Sequence, residues 1–149
     1  MIVMGSDGIR HLAGHVRETL MPSTSDPYAI SNLRYTAMCL DLIAEDYDRA
    51  VDVLSADREE IAKIFARAFP NLKSALRDDV SARLASKPKN LRVQILSQRA
   101  DDDMRVLIEL HREIEEAERL GEPWATDLDA EIWQFLENYA ERRIYRSLI

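Results

Sequence analysis

The sequence predicts an all-α fold, a single-domain helical bundle of five to six mostly antiparallel helices with a long central second helix. Apolar residues recur at steps of three and four along most of the chain, which is the period of an α-helix and not of a strand. All five prolines fall outside these periodic segments, where their missing N–H does not interrupt a helix. The connections between segments are short, and short connections favour antiparallel neighbours.

Size, charge and cysteine content narrow the class of protein. A chain of 149 residues is typical of one domain, and we expect residues 1–149 to form it. A net charge of −7 repels phosphate backbones and argues against general nucleic-acid binding. We expect no membrane span, because no apolar run is long enough, and no signal peptide, because a basic region and an apolar core are missing at the start. The lone cysteine, Cys39, suggests a reducing compartment, and we expect the cytoplasm.

Boundary residues divide the chain into predicted helices. Asp26 is the expected N-cap of the second helix, with Pro27 at its first position. Gly121 suits the position just after the fifth helix, where glycine is favoured. The first two predicted helices run from Asp7 to about Met21 and from Pro27 to about Leu54. The third runs from a capping box at Asp57 and Glu60 to Pro70, and the fourth runs from a cap at Asn71 through Leu84. The fifth runs from Leu91 to Leu120, with a possible break at Asp101 to Asp103, and the last starts at Thr126.

The second helix has two apolar faces. One stripe follows the helical period and is formed by Ile30, Leu33, Ala37, Leu40, Ala44, Tyr47, Val51 and Leu54. A second set, at about 100° per residue, falls on roughly the opposite side, and it consists of Tyr35, Cys39, Leu42 and Val53. A helix that is apolar on two sides has to be covered on two sides. Either the other helices surround it, or one face packs against a second subunit in a homodimer; the sequence does not decide between these.

His11 and His15 form the sharpest metal-like feature. A spacing of four places both imidazoles on one face of a helix, with Glu18 nearby and His111 as a third histidine from another helix. The apolar stripe of the first helix lies nearly opposite to this pair. The alternative is therefore that these side chains are exposed to solvent and bind nothing.

Acidic residues provide two further candidates. Asp41, Glu45, Asp48 and Asp52 form one column on the second helix, and such carboxylates hold Mg²⁺ or move protons when facing carboxylates complete the site. Glu113 and Glu116 are the available partners, and a solvated column with Arg34 and Arg49 as counter-charges is the alternative. Asp101 to Asp103 have two interpretations. They form a metal cluster, or they lie in the first turn of a helix, where acidic side chains interact favourably with the helix dipole.

A basic turn is a candidate anion site. Lys87, Lys89 and Arg92 surround a turn that is expected to open a helix at Asn90, where free backbone N–H groups favour anions. No glycine-rich phosphate loop accompanies them, so an ordinary basic turn is the alternative.

These features favour a protein-interaction or homo-oligomerising module without catalytic activity, whose partner is a second copy or a larger protein. The alternative function is a divalent-metal-dependent or small-ligand-binding bundle that uses His11 and His15 or the carboxylates of the second helix. No catalytic residue is assigned, and no cofactor is predicted apart from the metal of that alternative.

Overall fold

The structure is a computed structural model that describes residues 5–146, and five α-helices dominate it. No strand occurs within this range, which confirms the all-α prediction. None of the described helices combines the length and the apolar composition that crossing a membrane requires. The helices are α1 (Gly5–His15), α2 (Pro27–Ala68), α3 (Ser74–Ala85), α4 (Val93–Arg119) and α5 (Pro123–Glu141). A π-helical turn (Val16–Leu20) and a 3₁₀ turn (Met21–Ser23) follow α1, and a 3₁₀ turn (Phe69–Asn71) follows α2.

Helix α2 is longer than the sequence predicts. It begins as expected, with Pro27 at its first position and the Tyr28 N–H donating to Asp26 Oδ1 at 3.0 Å. It then continues for 42 residues to Ala68, so the predicted break before Asp57 is wrong. Asp57 does not cap a new helix, because its carboxylate accepts hydrogen bonds from two arginines beyond α5 instead. With no proline or glycine near Asp57, nothing local stops α2 at this point.

Three other predicted boundaries also move. Helix α3 begins at Ser74 and not after a cap at Asn71, and α5 begins at Pro123 and not at Thr126. Helix α4 runs without a break through Asp101 to Asp103. The end of α4 is as predicted: Gly121 has φ +81°, and the N–H groups of Glu122 and Gly121 donate to the carbonyls of Ala117 and Glu118 at 3.0 and 2.9 Å. This pattern is the Schellman motif, which requires a left-handed residue after the helix.

The described part of the chain forms two compact units. Unit 1 contains residues 5–50 with 145 and 146, and unit 2 contains residues 51–144. In unit 1, α1 and the first part of α2 are antiparallel, since Arg10 pairs with Asp48 and Arg17 pairs with Asp41. The apolar side chains buried there are small or β-branched, namely Ala13, Val16, Ala37 and Ala44. The prediction of one domain over residues 1–149 stays a prediction.

Unit 2 contains the main apolar core. It is built from the second part of α2, from α3, α4 and α5, and from Leu72 just before α3. Its fully buried large side chains include Phe65, Val80, Leu107, Leu110, Ile114, Ile132 and Phe135. Each helix contributes at helical spacing, as expected for amphipathic helices around a common core.

Two glycines are expected to respond in opposite ways to alanine. Gly14 lies in α1, and an added Cβ would meet no atom within 4 Å. Gly14→Ala should therefore raise the free energy of unfolding by about 1 kcal/mol through helix propensity. Gly121→Ala, the matched control, should lower it by a similar amount, about 1 kcal/mol, because L-residues disfavour positive φ. Urea unfolding followed by circular dichroism measures both changes. If the two substitutions changed the free energy of unfolding in the same direction, the helical backbone at Gly14 or the positive φ at Gly121 would be wrong.

Candidate functional site

A cluster of arginines surrounds a buried carboxylate in unit 2. Asp103 is 2% exposed and lies on α4. Arg58 Nη1 of α2 donates to Asp103 Oδ2 at 2.8 Å, and Arg83 Nε of α3 donates to Asp103 Oδ1 at 2.6 Å. The arrangement joins three helices through charge-assisted hydrogen bonds, which are stronger than neutral ones. Together with Arg99 and the carbonyl of Ser86, these residues are called the Asp103 cluster below.

Arg99 is the one arginine of the Asp103 cluster that donates no hydrogen bond to Asp103. Its guanidinium donates to the carbonyl of Ser86, which also accepts from Arg58 Nη2 at 2.7 Å. Arg99 is only 8% exposed, and its buried Nε has no hydrogen-bond partner among the described residues. Burial lowers the pKa of Arg99, repulsion by Arg58 and Arg83 lowers it further, and Asp103 opposes the change. The cluster thus brings three guanidinium groups, of which Arg99 is buried, close to the buried Asp103 and to the partly exposed Asp102, whose Oδ2 is 3.6 Å from Arg83 Nη1.

A cavity of about 270 Å³ lies beside the Asp103 cluster, within unit 2. Arg58, Arg99 and Asp103 form part of its wall, together with Ser55 and Glu59. The remaining wall is apolar and comprises Leu54, Ala62, Pro88, Leu91, Leu96 and Ala100. The cavity therefore combines guanidinium groups with an apolar surface.

The predicted basic turn contributes to this cavity through its apolar residues. Pro88 and Leu91 line the wall, although Leu91 is itself 67% exposed, and the exposed Lys87, Lys89 and Arg92 are not among the lining residues. The helix does not open at Asn90, since α4 begins at Val93 and the Asn90 side chain accepts the Arg92 N–H at 3.0 Å. Anion binding by these three basic residues stays a prediction.

Asp57 forms a second buried charge network in unit 2. It is 1% exposed, and its two oxygens accept from Arg142 Nε at 2.8 Å and from Arg143 Nη2 at 2.6 Å. Arg142 Nη1 also donates to Glu60 Oε1 at 2.8 Å, and Asn138 donates to Glu60 Oε2 at 3.2 Å. Burial raises the pKa of Glu60, but the hydrogen bonds from Arg142 and Asn138 outweigh it and hold the pKa below its ordinary value. Through these hydrogen bonds, the residues at and just after the end of α5 bind Asp57 and Glu60 in the second half of α2.

The predicted metal ligands lie on an exposed surface of unit 1. His11 and His15 of α1 and Glu18 of the following π turn are all exposed. His111 lies in unit 2, where its Nε2 is 2.8 Å from Asp129 Oδ1. Within residues 5–146, no group of three or more His, Cys, Asp or Glu side chains has the arrangement needed to hold a metal ion. Metal binding at these residues stays a prediction.

The acidic column of α2 faces Arg10 of α1 and Arg17 of the π-helical turn that follows it. Arg10 Nη2 donates to Asp48 Oδ2 at 2.6 Å, and Arg17 pairs with Asp41. Hydrogen bonds from Ser6 and Arg10 lower the pKa of the Asp48 carboxyl. Two members of the column, Asp41 and Asp48, therefore have counter-charges that were not among the predicted ones, whereas the predicted Arg49 does pair with Glu45, its Nη1 lying 3.3 Å from Oε1.

The predicted helix-start role of Asp101 to Asp103 is wrong. Helix α4 begins at Val93, so these residues lie beyond its first two turns, where the helix dipole no longer favours them. Asp103 points into unit 2 as described, and Asp102 Oδ1 is 3.2 Å from Arg105 Nη1.

The predicted interface residues differ in exposure. Tyr35 is 66% exposed, and Cys39, Leu42 and Val53 are half-buried. Tyr35, Cys39 and Leu42 belong to unit 1, and Val53 belongs to unit 2. Tyr28, which was not predicted, is exposed to 75% on the same side of α2 as Tyr35.

Sequence analysis missed both buried networks, although a signal for them exists. Asp57 lies four residues before the buried Ile61, and Asp103 lies four residues before the buried Leu107. Each aspartate thus has the phase of an apolar core residue. A charged residue at such a position needs a buried partner.

Comparison with known proteins gives no family model, no curated protein and no solved structure that matches the chain. Function is therefore inferred from the geometry alone.

Proposed function

We propose that the chain is a non-catalytic interaction module that forms a homodimer through the exposed face of α2 in unit 1. The exposure of Tyr28 and Tyr35, at 75% and 66%, is the observation that supports this proposal most directly. Large aromatic side chains are enriched at protein interfaces because they bury much apolar area at a small cost in conformational entropy. We place the module in the cytoplasm, in keeping with its lone cysteine.

The exposed aromatic residues belong to a regular seam. Steps of four and three along α2 define it as Tyr28, Asn32, Tyr35, Cys39, Leu42 and Asp46. This is the spacing of a two-helix coiled-coil contact, and the seam extends over about 27 Å at 1.5 Å per residue. Ala37 and Ala44, which are buried, lie on the other side of α2, as do Asp41 and Asp48, which pair with Arg17 and Arg10. The seam therefore faces away from α1.

The seam is suited to a second copy of itself. An antiparallel pairing about Ala37 places Tyr35 of one copy opposite Cys39 of the other, and Tyr28 opposite Asp46. Asp46 is the one charged residue of the seam, and the Tyr145 hydroxyl already donates to its Oδ2 at 2.6 Å. Arg49 Nη2 also donates to Asp46, to its Oδ1 at 3.4 Å, and the Tyr28 hydroxyl of the other copy supplies a further donor to this carboxylate. Such mutual contacts are the property of an isologous two-fold interface.

Native mass spectrometry and light scattering of the untagged protein test the dimer. We expect a dimer for the wild type and a monomer for Tyr35→Glu, because a charge in the middle of the seam would be desolvated on pairing. Arg34→Glu, at the neighbouring position about 100° round the helix, is the matched control and should remain dimeric. A wild-type monomer at all concentrations, or two variants that behave alike, would refute the proposal.

Cross-linking tests the geometry of the pairing. Cys39 is the one cysteine of the chain, so every thiol-specific covalent dimer joins Cys39 to Cys39. In the antiparallel pairing these residues are separated by about 6 Å along the axes and by the interaxial distance of 8–10 Å. A short bismaleimide should therefore join the copies. A dimer that resists this reagent would exclude the proposed register.

The same mass spectra address the metal alternative. A metal held by His11, His15 and Glu18 would add its mass to each subunit in protein that has never contacted a metal column. Replacement of both histidines by alanine would then remove that mass. The dimer proposal instead requires that this double variant leave the subunit number unchanged.

A further inference from the structure

We propose that the cavity beside the Asp103 cluster binds a small organic acid, with its carboxylate on Arg99 and its apolar body against Leu54, Leu91 and Leu96. The site lies wholly within unit 2 and does not depend on the proposed dimer.

The charge of the buried wall favours an anion. Asp103 already accepts from Arg58 and Arg83, so its two oxygens are both engaged. Arg99 has a carbonyl partner, Ser86, but no carboxylate partner among its hydrogen bonds. Glu59 is the other acidic residue of the wall, and because it is exposed, solvent screens its charge. A carboxylate beside Arg99 would reduce the repulsion among the three guanidinium groups.

The loop that contributes to the wall is basic as well. Pro88 and Leu91, which line the wall, belong to the same loop as the exposed Lys87, Lys89 and Arg92. The summed charge of these three residues attracts an anion toward this part of unit 2.

The shape and chemistry of the wall select a monoanion with an apolar body. The volume, about 270 Å³, is slightly below the range of about 300–1,000 Å³ for drug-sized ligands, so the acid is smaller than those. Six of the eleven lining residues are apolar and would leave most of a phosphate group without hydrogen bonds. One guanidinium matches one carboxylate in charge and geometry.

Isothermal titration calorimetry with benzoate and hexanoate tests the site. We expect saturable binding of at least one of these acids at one per chain. Benzamide and 1-hexanol, their neutral counterparts, should bind at least about tenfold more weakly, since a hydrogen bond to a charged group is lost. Inorganic phosphate should not compete. Failure of both acids to saturate, or equal binding of the neutral compounds or of phosphate, would overturn the proposal.

Matched variants locate the binding. Arg99→Gln should weaken the binding of the acid by about tenfold or more, whereas Arg105→Gln, an exposed position on the same helix, should not change it. Should Arg99→Gln not fold, Ala100→Leu narrows the cavity without changing charge and should weaken hexanoate binding. In the wild type, the Arg99 Nε–H resonance should shift on addition of benzoate. Unchanged affinity in a folded Arg99→Gln protein, or an unshifted Arg99 resonance at saturation, would refute this location.

Discussion

Asp57→Ala is expected to lower the free energy of unfolding by about 3 kcal/mol. The substitution leaves Arg142 and Arg143 without the carboxylate that binds both of them at 2.8 and 2.6 Å. Removal of one partner from a buried ion pair costs more than the pair itself contributes, because the remaining charge stays partly desolvated. Urea unfolding monitored by far-UV circular dichroism measures the change.

A control substitution on α2 distinguishes loss of the Asp57 network from loss of any other carboxylate on the same helix. Asp52 is exposed on α2, and Asp52→Ala should change the free energy of unfolding by less than about 0.5 kcal/mol. Amide hydrogen exchange should in addition become faster at the end of α5 in Asp57→Ala, where Arg142 and Arg143 follow the helix. If Asp57→Ala and Asp52→Ala were equally stable, the Asp57 network would have no structural role.

Asp103→Ala is expected to have a still larger effect, a loss of about 4 kcal/mol in the free energy of unfolding. Arg58 and Arg83 both depend on this carboxylate, and Arg99 lies beside them. Without Asp103, three guanidinium groups remain close together, and their remaining partners are carbonyl oxygens and the partly exposed Asp102, whose Oδ2 is 3.6 Å from Arg83 Nη1. The same unfolding measurement applies, and increasing sodium chloride should recover part of the loss by screening the repulsion.

The neighbouring Asp101 provides the control for Asp103. Asp101 lies two residues before Asp103 on α4 and is exposed. Asp101→Ala should leave the free energy of unfolding within about 0.5 kcal/mol of the wild type. Asp103→Asn keeps the shape of the side chain but not its charge, so its loss should lie between those of the two alanine variants. A stable Asp103→Ala protein would show that α3 and α4 remain joined without the cluster.

The candidate site was only partly predictable from the sequence. The basic turn was recognised, but the sequence could not show that its apolar residues Pro88 and Leu91 line a cavity whereas Lys87 and Lys89 do not. Asp103 was interpreted as a helix-start residue because its arginine partners, Arg58 and Arg83, are 45 and 20 positions away in the chain. Local pattern rules describe interactions within a few turns, and a partner at this distance is brought close only by helix packing.

The charge contacts of unit 1 were easier to predict from the sequence. Arg10 and Arg17 are seven residues apart, as are Asp41 and Asp48, and an antiparallel pairing of two helices matches these spacings. The sequence shows both columns, but it does not show which helices are neighbours. The counter-charges were therefore sought within the second helix itself.

The sequence by itself determined the helical class, the start of α2 and the end of α4. These features depend on local physics: the helical period of apolar residues, the side-chain cap at Asp26 and the left-handed backbone of Gly121. The tertiary structure alone decided that α2 continues past Asp57 and that α4 continues through Asp103. In both cases a carboxylate that would suit a helix start in isolation is buried instead, because arginines from distant helices satisfy its charge.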